Sequence, residues 1–325
     1  MSHTPYILHA LELNGKGSGT LLEGDAISQS LKEDTLAWLH MDAAHPESRK
    51  WLEENVSYLD PLILDALVAS ETRPRMEEYD DGMLVNLRGI NLNENADPDD
   101  MVSLRMWIDP HRIITMRRRS VSAAQVVKGQ LLEGNGPKNA GDFLCAIIHA
   151  LLGKMDPFMH SLAEKVDDVE EEVIANPNAS IRSIIVELRS QAITMKRYIS
   201  PQRDVIGRLR VNEQSWIERD DKRSLQESLD KITRYVEELD SARERAQIVQ
   251  DELTNVLADK LNRNMYILSV IAAIFLPLGF LTGLLGINVG GMPGAENADA
   301  FWIVTAGLTV IVALQVAIFR WLRWF

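Results

Sequence analysis

Side chains able to bind metals or do catalysis are present, but their spacing builds no recognisable catalytic set. His40, Asp42 and His45 offer metal-type ligands, yet this segment leaves a strand-like run for a turn and has no cysteine nearby. A surface turn is therefore preferred over a zinc site. His149 and His160 would share one helix face but lie about 16 Å apart along its axis. No Ser/His/Asp or Cys/His set stands at catalytic spacing, so we do not expect an enzyme.

Two further patterns resemble ligand sites without meeting their requirements. The segment Gly15–Gly19 is glycine-rich, but Ala10 occupies the first glycine position of a phosphate loop and Lys16 precedes glycine rather than Ser or Thr. Asp167–Glu172 is a dense acidic cluster on a predicted helix. A solvated helix face is the preferred interpretation of that cluster, and a weak cation site is the alternative.

The polar tripeptide Gly286-Ile287-Asn288 stands between two long apolar segments. Neither Met265–Ile287 nor Ala300–Phe319 contains an acidic or basic residue. Each segment reaches the ~20 residues that a helix needs to cross a ~30 Å hydrocarbon layer. We therefore predict a transmembrane domain over 265–325, with spans at about 265–287 and 300–320 and an outer loop at 288–299.

The charges around these spans predict their orientation. Glu296 and Asp299 lie in the loop, and no basic residue lies between Asn264 and Phe319. The basic residues that flank the pair of spans are Lys260, Arg263, Arg320 and Arg323. The positive-inside bias then places both termini in the cytoplasm. The N-terminal residues lack the basic-then-apolar form of a signal peptide.

Composition excludes some classes of partner. The formal net charge of −13 argues against nucleic acid, whose phosphates need a basic surface. An acidic body that attracts cations is compatible with this charge, but simple solubility is the preferred interpretation. The single cysteine, Cys145, fits a reducing compartment and leaves no intrachain disulfide.

The residues before the spans fall into two regions that differ in the spacing of their apolar residues. Residues 1–140 predict a cytosolic α+β domain, an antiparallel meander with helices on one side. Its predicted strands are Leu36–Met41, Met83–Ile90, Met101–Ile108 and Arg112–Met116, and Asp60 is its predicted N-cap before Pro61. Residues 141–264 predict a long helical hairpin broken at Asn176-Pro177-Asn178, and then a stalk helix. Without a breaker, that helix would run from about Asp220 to Ile287 and reach on the order of 100 Å.

One line of residues on the first span stands out at steps of three and four. It comprises Met265, Leu268, Ala272, Leu276, Gly279, Gly283 and Gly286. Tight helix packing through Gly279-xxx-Gly283 and a pore-lining face both predict such a line, and periodicity does not separate them. Pro277 removes the backbone bond to Ala273 and favours a bend.

These features resemble the CorA superfamily of divalent-cation transporters, and within it the ZntB zinc-transporter branch. The hallmark of the superfamily is a Gly-Met-Asn tripeptide after the first of two C-terminal spans, and Gly286-Ile287-Asn288 is the form typical of the branch. Segments similar to family motifs are Thr72–Arg75, Leu87–Asn93, Asp100–Arg105, Thr115–Arg119 and Ile274–Asn288.

The resemblance implies a funnel-shaped homopentamer in a bacterial inner membrane, with Zn²⁺ as cargo and no cofactor. Gly286, Ile287 and Asn288 would form the pore mouth, and Glu296 and Asp299 would attract cations to it. The expected pore-lining residues are Met265, Leu268, Leu276 and Gly279.

Two departures bear on selectivity. Many relatives carry a hydroxyl where Gly279 stands, and Met292-Pro293-Gly294 lacks an acid that many have in the outer loop. The span offers no His, Cys or carboxylate ligand, so we expect a passing ion to keep much of its water. From the pore residues alone, a Mg²⁺, Co²⁺ or Ni²⁺ channel therefore remains an alternative.

Proton coupling and import are implied by the family resemblance, but the spans contain no carboxylate or histidine that would support coupling. A membrane-tethered scaffold or sensor is the alternative of another class.

Overall fold

The computed structural model divides into two units, Met1–Asp251 and Glu252–Phe325. Both predicted spans belong to the second unit. The residues that it describes are 4–70, 72–80, 82–287, 294 and 296–322. The finer boundary expected near residue 140 stays a prediction.

Seven strands of the first unit form one mixed sheet. They are β1 (Ile7–Leu13), β2 (Gly19–Leu21), β3 (Ala37–Asp42), β4 (Arg75–Glu78), β5 (Met83–Gly89), β6 (Val102–Ile108) and β7 (Arg112–Arg117). Their order in the sheet is β2-β1-β3-β7-β6-β5-β4. The sequence-predicted meander is confirmed from β5 to β7 and extends to β4. In contrast, β3 pairs in parallel with β7, and β1 joins antiparallel to β3.

Eight helices complete the described part of the chain. They are α1 (Asp25–Ser30), α2 (Glu47–Asn55), α3 (Pro61–Val68), α4 (Ser122–Glu133), α5 (Ala140–Ala175), α6 (Ile181–Arg210), α7 (Arg219–Leu285) and α8 (Ala300–Trp321). The predicted cap before α3 is confirmed, since the Asp60 carboxylate accepts a hydrogen bond from the Leu62 backbone N–H at 2.7 Å. The predicted hairpin and the unbroken helix across residues 220–285 are also confirmed.

Helices cover both faces of the sheet, so the expectation of helices on one side was wrong. Leu39 on β3 belongs to a buried cluster with Leu64 and Leu67 of α3. Trp38, its neighbour, points to the other face and packs against Phe143 of α5 with 4.8 Å between ring centroids. A strand that is apolar on both faces is typical of a sheet covered on both sides, and β3 has that composition.

His40 lies on β3, as the strand-like run Leu36–Met41 predicts, and the turn follows at Ala43 and Ala44. The sequence did not predict that His40 is fully buried. Its Nδ1 lies 2.8 Å from the Thr115 hydroxyl, and its ring centroid lies 4.8 Å from that of His9. Burial lowers the pKa of both imidazoles, that of His9 to about 3. Within the described residues no group of three His, Cys, Asp or Glu side chains could hold a metal ion. The pair is therefore a neutral element of the core.

Candidate functional site in the membrane-spanning helices

Two helices of the second unit are long and apolar enough to cross a membrane. They are α8 and the C-terminal part of α7. None of the residues of α8 is buried, although its sequence is almost wholly apolar. In water such exposure would be very costly, at about 25 cal/mol per Å² of apolar surface. The helices therefore require an apolar environment, which lipid and further protein copies can supply.

The apolar part of α7 has one side that is partly buried within the chain. Its members recur at helical spacing and are Val270, Ala273, Ile274, Leu278 and Leu281. The Gln315 side chain of α8 donates a hydrogen bond to the Ala273 carbonyl at 3.3 Å. This stripe is thus the side of α7 that meets α8.

The predicted pore line lies on the opposite side of the same helix, as 3.6 residues per turn require. Met265, Leu268 and Leu276 are 66%, 67% and 71% exposed. A Cβ atom added at Gly279 or Gly283 would meet no described atom within 4 Å. The glycines therefore do not serve packing against α8. The helix-packing alternative survives only as contact with another copy of the chain.

Gln315 completes the backbone at the proline of α7. Because Pro277 has no N–H, the carbonyl of Ala273, four residues earlier, loses its helical donor. The Gln315 amide takes that place across the helix pair. Sequence reasoning missed this contact, although Gln315 is the sole amide side chain in Ala300–Phe319 and was the available signal. A polar bridge thereby fixes α8 to α7 at the point where α7 is weakest.

The tripeptide begins where α7 ends. The Gly286 N–H donates to the carbonyls of Thr282 and Gly283 at 2.9 and 3.2 Å, one residue after the helix. A Cβ at Gly286 would lie 3.0 Å from the Thr282 carbonyl oxygen, so glycine allows this tight end. Ile287 is half exposed. Asn288 lies outside the described residues, and its place at the mouth stays a prediction.

The two loop acids are exposed and open to solvent. Asp299 precedes α8, but its carboxylate makes no capping hydrogen bond. Its backbone N–H donates to the Asn297 side chain at 3.0 Å. Neither carboxylate is therefore committed to holding the described part of the loop, and both can act on ions in solution.

The exposed line can offer a cation little direct ligation. Hydroxyls near it are already used by their own helix, since Ser269 donates to the Met265 carbonyl and Thr282 to that of Leu278. The stretch from Met265 to Ile287 has no His, Cys or carboxylate, the side chains that Zn²⁺ prefers. A cation that moves along this face must keep water as its main ligand.

The chain is similar over nearly its whole length to characterised transporters. It is 37% identical to the divalent cation transporter CmaX of Pseudomonas aeruginosa, over 98% of this chain and 96% of that protein. It is 35% identical to the zinc transport protein ZntB of Yersinia enterocolitica, over 97% of this chain and 94% of that protein.

Solved structures give the same result. The structure of the full-length CmaX protein matches with a TM-score of 0.85 and 35% identity, over 98% of both chains. The CorA magnesium transporter of Methanocaldococcus jannaschii matches with a TM-score of 0.80 over 96% of this chain and 97% of that one. Its 20% identity supports the fold alone. The family model described as CorA-like Mg²⁺ transporter protein covers residues 33–322. The resemblance seen in the sequence is thereby confirmed, and this chain belongs to the CorA-like transporter family.

Proposed function

We propose that this protein moves divalent metal cations, chiefly Zn²⁺, across the bacterial inner membrane through the central pore of a homopentamer. The observation that carries the proposal is the line from Met265 to Gly286. It is uncharged, turned away from α8 and open along its length. It ends at the Gly286-Ile287-Asn288 tripeptide.

A ring of copies explains why this face has no partner among the described residues of one chain. Lipid can cover apolar side chains, but a face of three glycines gives lipid little to pack against and favours close helix approach. Five copies is the number that family resemblance implies. Native mass spectrometry of the protein in detergent is expected to give pentamers, and a stable monomer or dimer would contradict the pore.

The choice of Zn²⁺ is supported by relatives that are named zinc transport proteins. The described residues of the proposed pore do not distinguish one divalent cation from another, because a hydrated ion would contact only apolar side chains and backbone. A Mg²⁺, Co²⁺ or Ni²⁺ channel is the second candidate, favoured by the Mg²⁺ transporter family model. The positive-inside pattern supports cytoplasmic termini with the loop outside. No carboxylate or histidine in Met265–Ile287 supports a proton path, so coupling requires a direct test.

The test is metal-resolved flux into liposomes that contain the purified protein, with and without a pH gradient. We expect Zn²⁺ uptake to exceed that of Mg²⁺, Co²⁺ and Ni²⁺. Acceleration by an inward proton gradient would establish coupled import. Faster Mg²⁺ than Zn²⁺ flux would favour the second candidate, and no metal flux would favour a scaffold or sensor.

Asn288→Ala tests the pore mouth. The amide offers a donor and acceptors to the waters around a hydrated ion, so we expect flux to be abolished while pentamers still form. Asn297→Ala is the matched control, because Asn297 is an outer-loop amide that binds only its own loop in the described structure. Zn²⁺ flux at the parental rate in Asn288→Ala would disprove the proposal that Asn288 forms the pore mouth.

A further inference from the structure

The first unit contains a cavity of about 670 Å³ that the membrane-spanning helices do not explain. Among the described residues, its lining has one acid and five arginines, a formal charge of +4 in a chain whose net charge is −13. These residues are Asp100, Arg73, Arg88, Arg118, Arg119 and Arg197. Positive charge is thus concentrated at one place on an acidic protein.

Several elements hold this cavity at one end of the sheet. Arg88 of β5 and Ser103 of β6 are direct cross-strand partners. Arg118 follows β7, and the segment after α3 contributes Ser70. Tyr198 comes from α6. Strands and a long helix position the cationic groups, so the cavity is largely preformed.

Arg88 shows how firmly the lining is set. Its Nη1 donates to the Met101 carbonyl at 2.6 Å, and its Nη2 donates to the Thr72 carbonyl at 2.5 Å. The guanidinium lies over the Tyr198 ring, 4.6 Å from the centroid. Two backbone carbonyls and an aromatic ring thus hold the Arg88 side chain in position.

A second arginine lies behind the lining and is incompletely satisfied. Arg105 has no exposed surface, and its Nη2 reaches the carbonyl of Ser70 at 3.3 Å. Its Nε and Nη1 have no partner among the described residues, and neither has the amide of its cross-strand partner Asn86. Burial, together with the nearby charges of Arg118 and Arg88, lowers the pKa of Arg105 to about 10. Buried charge without compensation is costly, and an anion in the cavity would reduce this cost.

The one acid in the described lining, Asp100, neutralises little of the positive charge of the arginines. Asp100 forms an ion pair with Arg119 at the rim, where the two side chains are 61% and 58% exposed. Exposed pairs of this kind contribute little and are screened by salt. Asp100 therefore offsets little of the positive charge that the described lining carries.

We propose that this cavity binds a small soluble polyanion that carries two or more phosphate groups, either a condensed phosphate or a phosphate ester. Guanidinium groups form paired, charge-assisted hydrogen bonds with phosphate oxygens. The volume lies in the range of small-molecule pockets and exceeds the needs of a single chloride or phosphate ion. The binding does not depend on which metal the pore carries.

Isothermal titration of the full-length protein in neutral-lipid nanodiscs tests this. Pyrophosphate, ATP, phosphate and chloride are compared at equal ionic strength, in metal-free buffer because condensed phosphates chelate cations. We expect pyrophosphate or ATP to bind, and Arg73→Gln with Arg197→Gln to weaken that binding about tenfold or more. Arg182→Gln with Arg210→Gln is the matched control, since both are exposed on α6 outside the cavity; it should bind as the parent does.

Ser103→Asp tests the proposal through thermal stability and does not depend on measuring a loss of binding. A carboxylate beside Arg88 would act as a built-in anion, so we expect a higher melting temperature without ligand and no further rise with pyrophosphate. A lower melting temperature with an intact pyrophosphate response would overturn the proposal. Chloride binding as tightly as pyrophosphate, or equal weakening in the cavity and control pairs, would also overturn it. So would stabilisation by anionic lipid alone.

Discussion

Helices α5 and α8 show how differently the two units bury their apolar residues. Helix α5 of the first unit buries fifteen of its 36 residues within the same chain, whereas α8 of the second unit buries none of its 22. Both sequences are rich in Leu, Ile, Val and Ala. The first unit thus buries an apolar core within the chain, while α8 of the second unit requires an apolar environment from outside it.

The two units also differ in how their buried or membrane-spanning polar groups are satisfied. The first unit holds titratable groups in its core, including His9 and His40, whose Nε2 atoms have no described partner. In the second unit, the polar side chains of the spans bond to backbone carbonyls, as Thr282 and Gln315 do. Acid should therefore act on the first unit, whereas loss of contacts between copies should act on the second.

Among the substitutions that distinguish the two units, Gly283→Leu should have the largest effect on assembly and flux. The position is open in one chain, so a leucine there would not disturb the fold of a single copy. We expect it to block close approach of copies and to abolish assembly or flux. Gly307→Leu, at an open glycine of α8, is the control and should have a smaller effect. Normal pentamers with parental flux would show that Gly283 faces lipid.

Acid should destabilise the first unit through the buried histidines. Folding keeps both neutral, with the folded pKa of His9 at about 3 and that of His40 also lowered, while unfolded histidine titrates near 6.5. Below about pH 6.5 the unfolded chain binds more protons, so the free energy of unfolding falls as pH falls. The expected slope is at most about 1.4 kcal/mol per pH unit for each histidine.

Denaturation of the full chain at pH 7.5, 6 and 5 measures this slope. His9→Leu should make it shallower, by up to about 1.4 kcal/mol per pH unit. His160→Gln, at a side chain 78% exposed, should leave it unchanged. Parental acid sensitivity in His9→Leu would assign the effect to other groups.

The Gln315 bridge should contribute a smaller free energy. Gln315→Leu removes the donor to the Ala273 carbonyl and is expected to lower the stability of the spans by about 0.6–1.7 kcal/mol. In a Pro277→Ala background the helix supplies its own N–H to that carbonyl, so the same substitution should cost much less. Denaturation of the four proteins of this cycle in nanodiscs gives the coupling. An equal cost in both backgrounds would show that the bridge is not specific to the proline.

Local signals in the sequence predicted much of this molecule. Apolar periodicity gave α5, α6 and α7, and turn residues such as Asp60 placed helix starts. The parallel pairing of β3 with β7 was missed because residues about 75 positions apart meet there, which no local pattern records. The burial of His40 was not predicted for the same reason, since it depends on strands and helices from elsewhere in the chain.

The candidate sites divide in the same way. The line from Met265 to Gly286 follows from helical spacing alone, so the sequence predicted that these residues share one face of α7. That this face lines a pore stays a prediction. No partner for this line lies among the described residues, so neither the sequence nor a single copy identifies one. The Gln315 bridge needs the register of two helices. The arginine cavity draws on segments between residues 70 and 198 that converge only in the fold.

The loop acids should give the smallest effect. Glu296→Gln with Asp299→Asn removes two exposed acids of the loop that we propose to lead into the pore, and Asp299 makes no side-chain cap that the change would break. Because these carboxylates only raise the local cation concentration, we expect Zn²⁺ uptake to fall a few-fold at low ionic strength. The difference should shrink near 0.1 M salt, where the screening length is about 10 Å. Glu171→Gln with Glu172→Gln makes the same charge change on exposed residues of α5 and should leave uptake unchanged. A loss of flux that salt does not alter would mean that Glu296 or Asp299 contacts the ion directly, which would make the loop part of the pathway itself.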